Sequence, residues 1–305
     1  MTAVAGNEFI DLDTALAAEG VAETSYDERD LVLYALGVGA ARDPLDESDL
    51  RYICEFNRER FRALPTFAVV PGLNALLAPI YRGKPMLPGL KFGFERMLHG
   101  EQYIELKRPL PRCAKLKHTF RVKSIYDKKP HAVITVDIVT TDESGVELAY
   151  NEFSTFVLGV GGWGGERGPS GNANRPPARE ADAVVEEKTA PNQALLYRLS
   201  GDLNPLHADP AFAKTFGYDR PILHGLSTFG HAARHVINAM CGGGPERFKS
   251  IKVRFGDTVF PGETLVTHIW KESPTRFIVE TRIKERDKLV IRNAAVELYE
   301  QPPQR

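Results

Sequence analysis

Cysteine is scarce: Cys54, Cys113 and Cys241 are the only three in 305 residues. An odd, sparse set argues against a disulfide framework and for a reducing compartment. No Cys-x-x-Cys pair or Cys/His cluster with zinc-ligand spacing occurs. No stretch of ~18 apolar residues exists, so no membrane span is expected. Residues Met1 to Asn7 lack a basic region ahead of an apolar run, so no secretory signal is expected. The last residues, Gln301-Pro302-Pro303-Gln304-Arg305, do not form the Ser-Lys-Leu type of peroxisomal address. No Gly-x-Gly-x-x-Gly fingerprint opens a helix, so a dinucleotide-binding domain is not expected. Net charge is also missing. The 39 basic and 40 acidic side chains leave -1, with no global basic field, and nucleic acid is not an expected partner.

What is present is ordinary globular composition, 43% apolar and 26% charged. The length predicts one large or two medium domains at ~100–200 residues each. Glycine and proline crowd the middle, from Gly159-Val160-Gly161-Gly162-Trp163-Gly164-Gly165 to Arg175-Pro176-Pro177. This composition predicts a long flexible connection. It divides the chain into an N-terminal unit over 1–160, a linker over 161–185 and a C-terminal unit over 186–305.

The two units share an order of features. Leu31–Gly39 precedes Asp43-Pro44, and Ala194–Asp202 precedes Asp209-Pro210. Each then continues into an apolar segment, at Pro65–Val70 and at Pro221–Leu226, and ends in a run of strands. This order predicts an internal duplication. The expected strands are Tyr103–Leu106, Lys115–Ile125, Ala132–Thr140 and Val146–Leu158, then Ile251–Phe255, Thr264–Trp270, Arg276–Ile283 and Leu289–Leu298. Short links between them imply antiparallel pairing. Phe229, Ala232, Ala233, Val236, Ile237 and Met240 form one apolar helical stripe. A helix followed by such strands suggests an α+β fold in which an antiparallel sheet curls around a central helix, the hot dog. Two units make a double hot dog, with two sheets each wrapped around its helix.

The densest polar cluster is Tyr197-Arg198-Leu199-Ser200-Gly201-Asp202-Leu203-Asn204-Pro205-Leu206-His207-Ala208-Asp209-Pro210. Gly201, Asn204-Pro205 and Asp209-Pro210 break regular structure, so a turn-held loop can aim Asp202 and His207 at one point. A carboxylate and an imidazole on one water form an acid–base pair. Downstream, Pro221-Ile222-Leu223-His224-Gly225 opens the striped helix. A helix N-terminus offers backbone N–H groups to developing negative charge, and Gly225 lets a ligand come close.

These residues resemble the hydratase 2 motif of the MaoC-like dehydratases. The chain from about Tyr26 to about Leu298 is similar to the hydratase 2 unit of peroxisomal type 2 multifunctional enzymes. Leu64-Pro65-Thr66-Phe67 and Leu98-His99-Gly100-Glu101-Gln102 carry the likeness in the first half, and Arg247-Phe248-Lys249 to Phe255 in the second. The resemblance implies (R)-specific hydration of trans-2-enoyl-CoA to (3R)-3-hydroxyacyl-CoA in fatty acid β-oxidation. It implies that Asp202, His207, Asn204 and the Gly225 N–H are catalytic. It places His99, Gly100, Lys128, Leu203, Pro205, Leu206 and Phe255 against an acyl-CoA substrate. No cofactor and no metal are implied. A homodimer, a dehydrogenase partner or fused domain, and a peroxisomal location are. Gly39 stands opposite Asp202 in the duplication, so the first half lacks the acid–base pair and is expected to accommodate the acyl chain.

Other readings stand beside these. A biosynthetic 3-hydroxyacyl-thioester dehydratase would need the same residues, and a degenerate duplication can yield a non-catalytic acyl-CoA-binding module. His231 and His235 have metal-pair spacing, but no Glu follows His231. His224 reads as a helix-entry residue and Asp209 as part of an Asp-Pro turn. Lys128 is a turn lysine or a phosphate ligand, and Phe255 is core or a wall of the site. Arg247, Lys249, Lys252 and Arg254 meet CoA phosphates or solvate a sheet edge, the latter being preferred.

Overall fold

The computed structural model describes residues 7–169, 171, 173–242 and 244–303. Met1–Gly6, Ser170, Asn172, Gly243, Gln304 and Arg305, which belong to the terminal and glycine-rich segments read above, lie outside the described residues.

Ten antiparallel strands form one sheet. They are β1 (Glu19–Tyr26), β2 (Met97–Leu106), β3 (Ala114–Lys128), β4 (His131–Asp142), β5 (Glu147–Val157), β6 (Ala183–Lys188), β7 (Phe248–Phe255), β8 (Thr264–Ser273), β9 (Arg276–Ile283) and β10 (Lys288–Leu298). The helices are α1 (Leu12–Ala17), α2 (Glu28–Gly37), α3 (Glu47–Leu50), α4 (Val70–Leu77), α5 (Gln193–Tyr197), α6 (Pro210–Thr215) and α7 (Gly225–Met240).

The spatial order is β1-β3-β4-β5-β2-β7-β10-β9-β8-β6. Matching β1–β5 to β6–β10 makes this order read the same from either edge, as a duplicated unit requires. The fold is α+β, two hot-dog units in tandem. It differs from two separate sheets in one respect. β2 and β7 pair, with Glu101 to Glu105 opposite Arg254 to Ser250, so the half-sheets are continuous. Pairing satisfies backbone groups that two free edges would leave open.

β1 and β6 escape a hydrophobic pattern search because they are the outer edges. Their sequences, Glu-Gly-Val-Ala-Glu-Thr-Ser-Tyr and Ala-Val-Val-Glu-Glu-Lys, stay largely exposed. β6 begins at Ala183, inside the segment read as linker. Other parts of that segment are hydrogen-bonded to the body. The Asp127 carboxylate accepts N–H bonds from Gly162 and Gly164 at 2.8 Å and from Gly165 at 3.3 Å. Trp270 Nε1 donates to Arg179 O at 3.0 Å. Glycine lets the backbone wrap around one carboxylate, so its abundance here serves binding. β7 corrects one expectation. It is the central strand that joins the halves, not an edge, and its basic residues pair with neighbouring strands. Arg254 Nε donates to Glu101 at 2.8 Å, and Lys249 lies 3.6 Å from Glu297.

α7 is buried on nearly all sides from Leu226 to Ile237, not on its apolar stripe alone. Its own half-sheet covers one side. The N-terminal half covers the other, with Gly230 close against Val38 and Tyr34. Polar side chains on that second side find partners across the boundary. Arg234 Nη1 donates to Asp49 at 2.8 Å and Nε to Val38 O at 3.2 Å, and Arg234 also pairs with Glu187. His235 sits 3.1 Å from Glu187 and 2.9 Å from Thr267 Oγ1. His231 and His235 are thus drawn into a buried charge network at the junction of the halves.

Candidate active site

The loop after α5 is built by local turn chemistry. Arg198–Ser200 forms a short 3-10 turn closed by Gly201 at φ +115, a backbone conformation that glycine adopts without strain. Asn204 caps the next 3-10 turn, Pro205–His207, by accepting from Leu206 N–H at 3.0 Å. Asp209 caps α6 through Ala211 N–H at 2.8 Å.

These turns bring Asp202 and His207 together, with His224 beside them. Ligating atoms of the three side chains lie within 4.8 Å of one another. His207 Nδ1 is 2.9 Å from Ile222 O. A carbonyl only accepts, so Nδ1 carries the proton and Nε2 keeps its lone pair. Burial holds His207 below its ordinary pKa, against the opposing pull of the Asp202 charge. Its ring stacks on His224 at 3.7 Å between centroids and 28° between planes. His224 Nε2 faces Asp202 O at 3.3 Å, and burial followed by the neighbouring His207 lowers its pKa well below the ordinary value. The composition of this trio would suit a small cation. His207 Nε2 and His224 Nδ1 are the ring nitrogens left with lone pairs, and with the Asp202 carboxylate they can equally hold a small polar molecule in an acid–base arrangement.

Asp202 Oδ1 accepts from Asn204 N–H at 3.2 Å and from the Tyr81 hydroxyl at 3.3 Å. Oδ2 has no partner among the described residues. Gly225 is the first residue of α7, whose start has no side-chain cap. Its N–H has no acceptor among the described residues, so it points a free donor outward. A Cβ on Gly225 would sit 3.2 Å from the Phe255 ring. Phe255 in turn packs edge-to-face on His99 at 4.7 Å, and His99 lies equally close to Phe153. Burial lowers the His99 pKa to about 4, with the Asp202 charge opposing. Gly100 is the bulged residue of β2, between the pairs formed by His99 and Glu101.

Asp202, Asn204, His207, Gly225, His99, Gly100 and Phe255 therefore share one locality. Leu203 and Pro205 are exposed on the outer side of the loop, and Leu206 is half-buried. Lys128 lies elsewhere, at the β3–β4 turn. Its Nζ is 3.5 Å from Pro169 O and 5.9 Å above the Tyr126 ring. Two residues beside Asp202 and His207 went unrecognised in the sequence. His224 was visible next to Gly225 but read as helix entry. Tyr81 sits in Leu77-Ala78-Pro79-Ile80-Tyr81-Arg82, which carries no motif, and only tertiary packing brings it to Asp202.

Residues 24–159 match the family described as MFE-2 hydratase 2 N-terminal domain, and residues 172–294 match the MaoC like domain. The chain is 42% identical over 290 residues to the peroxisomal enoyl-CoA hydratase 2 of Arabidopsis thaliana, covering 90% of this chain and 92% of that protein. It is 45% identical over 283 residues to the peroxisomal multifunctional enzyme type 2 of Mus musculus, covering 90% of this chain but 37% of that protein. The chain thus spans little more than a third of the mouse protein. The crystal structure of a MaoC-like dehydratase from Phytophthora Capsici superposes with a TM-score of 0.83 at 34% identity, covering 96% of this chain and 100% of that one. With both halves matched, and a relative of similar length aligned over nine-tenths of its length, the chain belongs to the MaoC-like hydratase 2 family.

Proposed function

We propose that the protein catalyses the (R)-specific hydration of trans-2-enoyl-CoA to (3R)-3-hydroxyacyl-CoA, by acid–base catalysis on one water held between Asp202 and His207. The observation that carries this reading is the pairing of His207 Nε2, left with its lone pair, and Asp202 Oδ2, left without a partner, at the mouth of a helix whose first N–H is free. The pair takes a proton from water as its oxygen adds to C3, and returns one proton to C2. The thioester oxygen gathers charge during this step, and the Gly225 N–H is the donor for it. The reaction is a net addition of water and calls for neither a redox cofactor nor a metal.

Asn204 holds His207 in place by capping the turn on which it sits. His99, Gly100 and Phe255 form the wall of the acyl-CoA site, and Leu203, Pro205 and Leu206 its outer lip. Lys128, at the β3–β4 turn, meets a CoA phosphate on this reading. The names of the relatives support hydratase activity and a peroxisomal location, and the reading sets that activity in fatty acid β-oxidation. Among the described residues no helix is long and apolar enough to cross a membrane. A homodimer working beside a dehydrogenase that consumes the 3-hydroxyacyl product completes the proposal.

Steady-state hydration of crotonyl-CoA and trans-2-decenoyl-CoA tests it, using Asp202→Asn and His207→Gln. Each substitution is expected to lower kcat by at least ~10²-fold, within the range for a positioned acid–base group. Unchanged rates in both variants would remove the mechanism. An (S) product from trans-2-decenoyl-CoA would contradict the stereochemical assignment.

A further inference from the structure

The N-terminal half lacks an acid–base pair, yet among the described residues two of its side chains hydrogen-bond to the catalytic loop of the other half. Asn74, on α4, donates from Nδ2 to Ser200 O at 2.7 Å. A Cβ on Gly201 would lie 2.1 Å from that same Nδ2, so the loop and the helix pass as closely as glycine permits. Seven residues on, in the 3-10 turn Ile80–Arg82 that follows α4, Tyr81 directs its hydroxyl at Asp202 Oδ1, 3.3 Å away. The Tyr81 ring rests on Phe94, 5.5 Å between centroids. A small cavity bounded by Leu73, Leu77, Tyr81, Tyr197 and Leu226 opens onto Asp202.

We propose that Tyr81 is a positioning residue for the Asp202 carboxylate, so that the half without the acid–base pair completes the site on the other half. This rests on the hydratase reading of Asp202 given above. The physical reason is the division of labour between the two carboxylate oxygens. Asn204 N–H and Tyr81 O–H both fall on Oδ1, which fixes the plane of the carboxylate and leaves Oδ2 for water. With one donor removed, the carboxylate turns about its last bond, and the water it holds turns with it. Burial, and then the Asp202 charge, raise the Tyr81 pKa, so the hydroxyl stays protonated as a donor at neutral pH. The other titratable groups within electrostatic reach of Asp202 are His99, His207, His224 and Tyr197. None of them donates to its side chain.

Tyr81→Phe removes the donor and keeps the ring on Phe94. With trans-2-decenoyl-CoA, kcat is expected to fall about 3- to 10-fold, the value of one ordinary hydrogen bond, because the 3.3 Å contact is long for a charge-assisted one. KM should stay within about 2-fold, because uniform substrate binding is untouched. A thermal melt matching the parent protein confirms the fold, and Tyr81→His, which restores a donor on a smaller ring, should recover part of the rate. An unchanged kcat, or a loss confined to KM, would overturn the proposal. Asp202→Asn in the same assay separates the two readings. If it is inactive while Tyr81→Phe is unaffected, only the role of Tyr81 fails. If it keeps full rate, the hydratase mechanism fails as well.

Discussion

Replacing Gly225 with alanine adds one methyl group and leaves the backbone N–H in place. Gly225 has no positive φ, so its backbone accepts alanine without strain. The new Cβ would lie 3.2 Å from Cδ1 and Cε1 of Phe255 and 3.6 Å from Cζ. Ordinary carbon–carbon contacts fall at ~3.5–4.0 Å, so the ring must retreat by a few tenths of an ångström. That displacement passes to His99, whose ring lies 4.7 Å from Phe255. Alanine is the better helix former by at most about 1 kcal/mol. Overpacking and propensity therefore oppose each other, and stability should change by less than about 1 kcal/mol. The rate is more sensitive. Losing an oxyanion donor outright costs ~10²–10³-fold, and a misplacement of ~1 Å costs ~10²-fold. A methyl beside the donor should thus lower kcat/KM by roughly 10- to 100-fold, equivalent to about 1.4–2.7 kcal/mol of transition-state stabilisation. The assay follows loss of the enoyl-thioester absorbance with trans-2-decenoyl-CoA, alongside a thermal melt. Adding Phe255→Leu to the variant tells crowding of the ring from crowding of the thioester, because only the first is relieved. Full activity with an unchanged melt would refute the oxyanion assignment.

Gly230→Ala tests the junction of the halves. Its Cβ would meet Val38 Cγ1 at 2.3 Å and the Tyr34 hydroxyl at 2.9 Å. A net loss of about 1–3 kcal/mol is expected despite the better helix propensity, seen as a Tm lower by roughly 2–6 °C; an unchanged Tm would show that the halves separate at no cost. Acid sensitivity should follow from the buried histidines. His118 and His231 are fully buried, and burial lowers each from 6.5 to about 4. The unfolded chain then binds more protons between those values, so their contribution is complete above pH 6.5 and is lost as pH falls toward 4. The slope is about 1.4 kcal/mol per pH unit for each histidine. Urea unfolding at about pH 7 and about pH 5 measures it, and equal stabilities would count against neutral histidines at both positions.

Much of the site was legible because its chemistry is local. Asp202, Asn204 and His207 lie within six residues, and glycine, Asn-Pro and Asp-Pro fix the turns between them. The apolar stripe of α7 and the valine- and isoleucine-rich strands announced themselves by period. The edge strands β1 and β6 did not, since a half-exposed strand has little apolar signal to give. The contacts of the glycine-rich connection were out of reach for a related reason. Composition reports how freely a backbone can bend, but it says nothing of Asp127, which binds that backbone from 35 residues away.

The sequence alone determined the duplication, the α+β class and the segment that carries the acid–base pair, because each rests on periodicity or on neighbours along the chain. Tertiary structure alone decided that β2 and β7 fuse the half-sheets, that both sides of α7 are buried, that His224 stacks on His207 and that Tyr81 reaches Asp202. Those contacts join residues 17 to more than 120 positions apart. Their partners are chosen by how the elements pack in three dimensions, within a half for His207 and His224 and between halves for the others, and no local pattern encodes that choice.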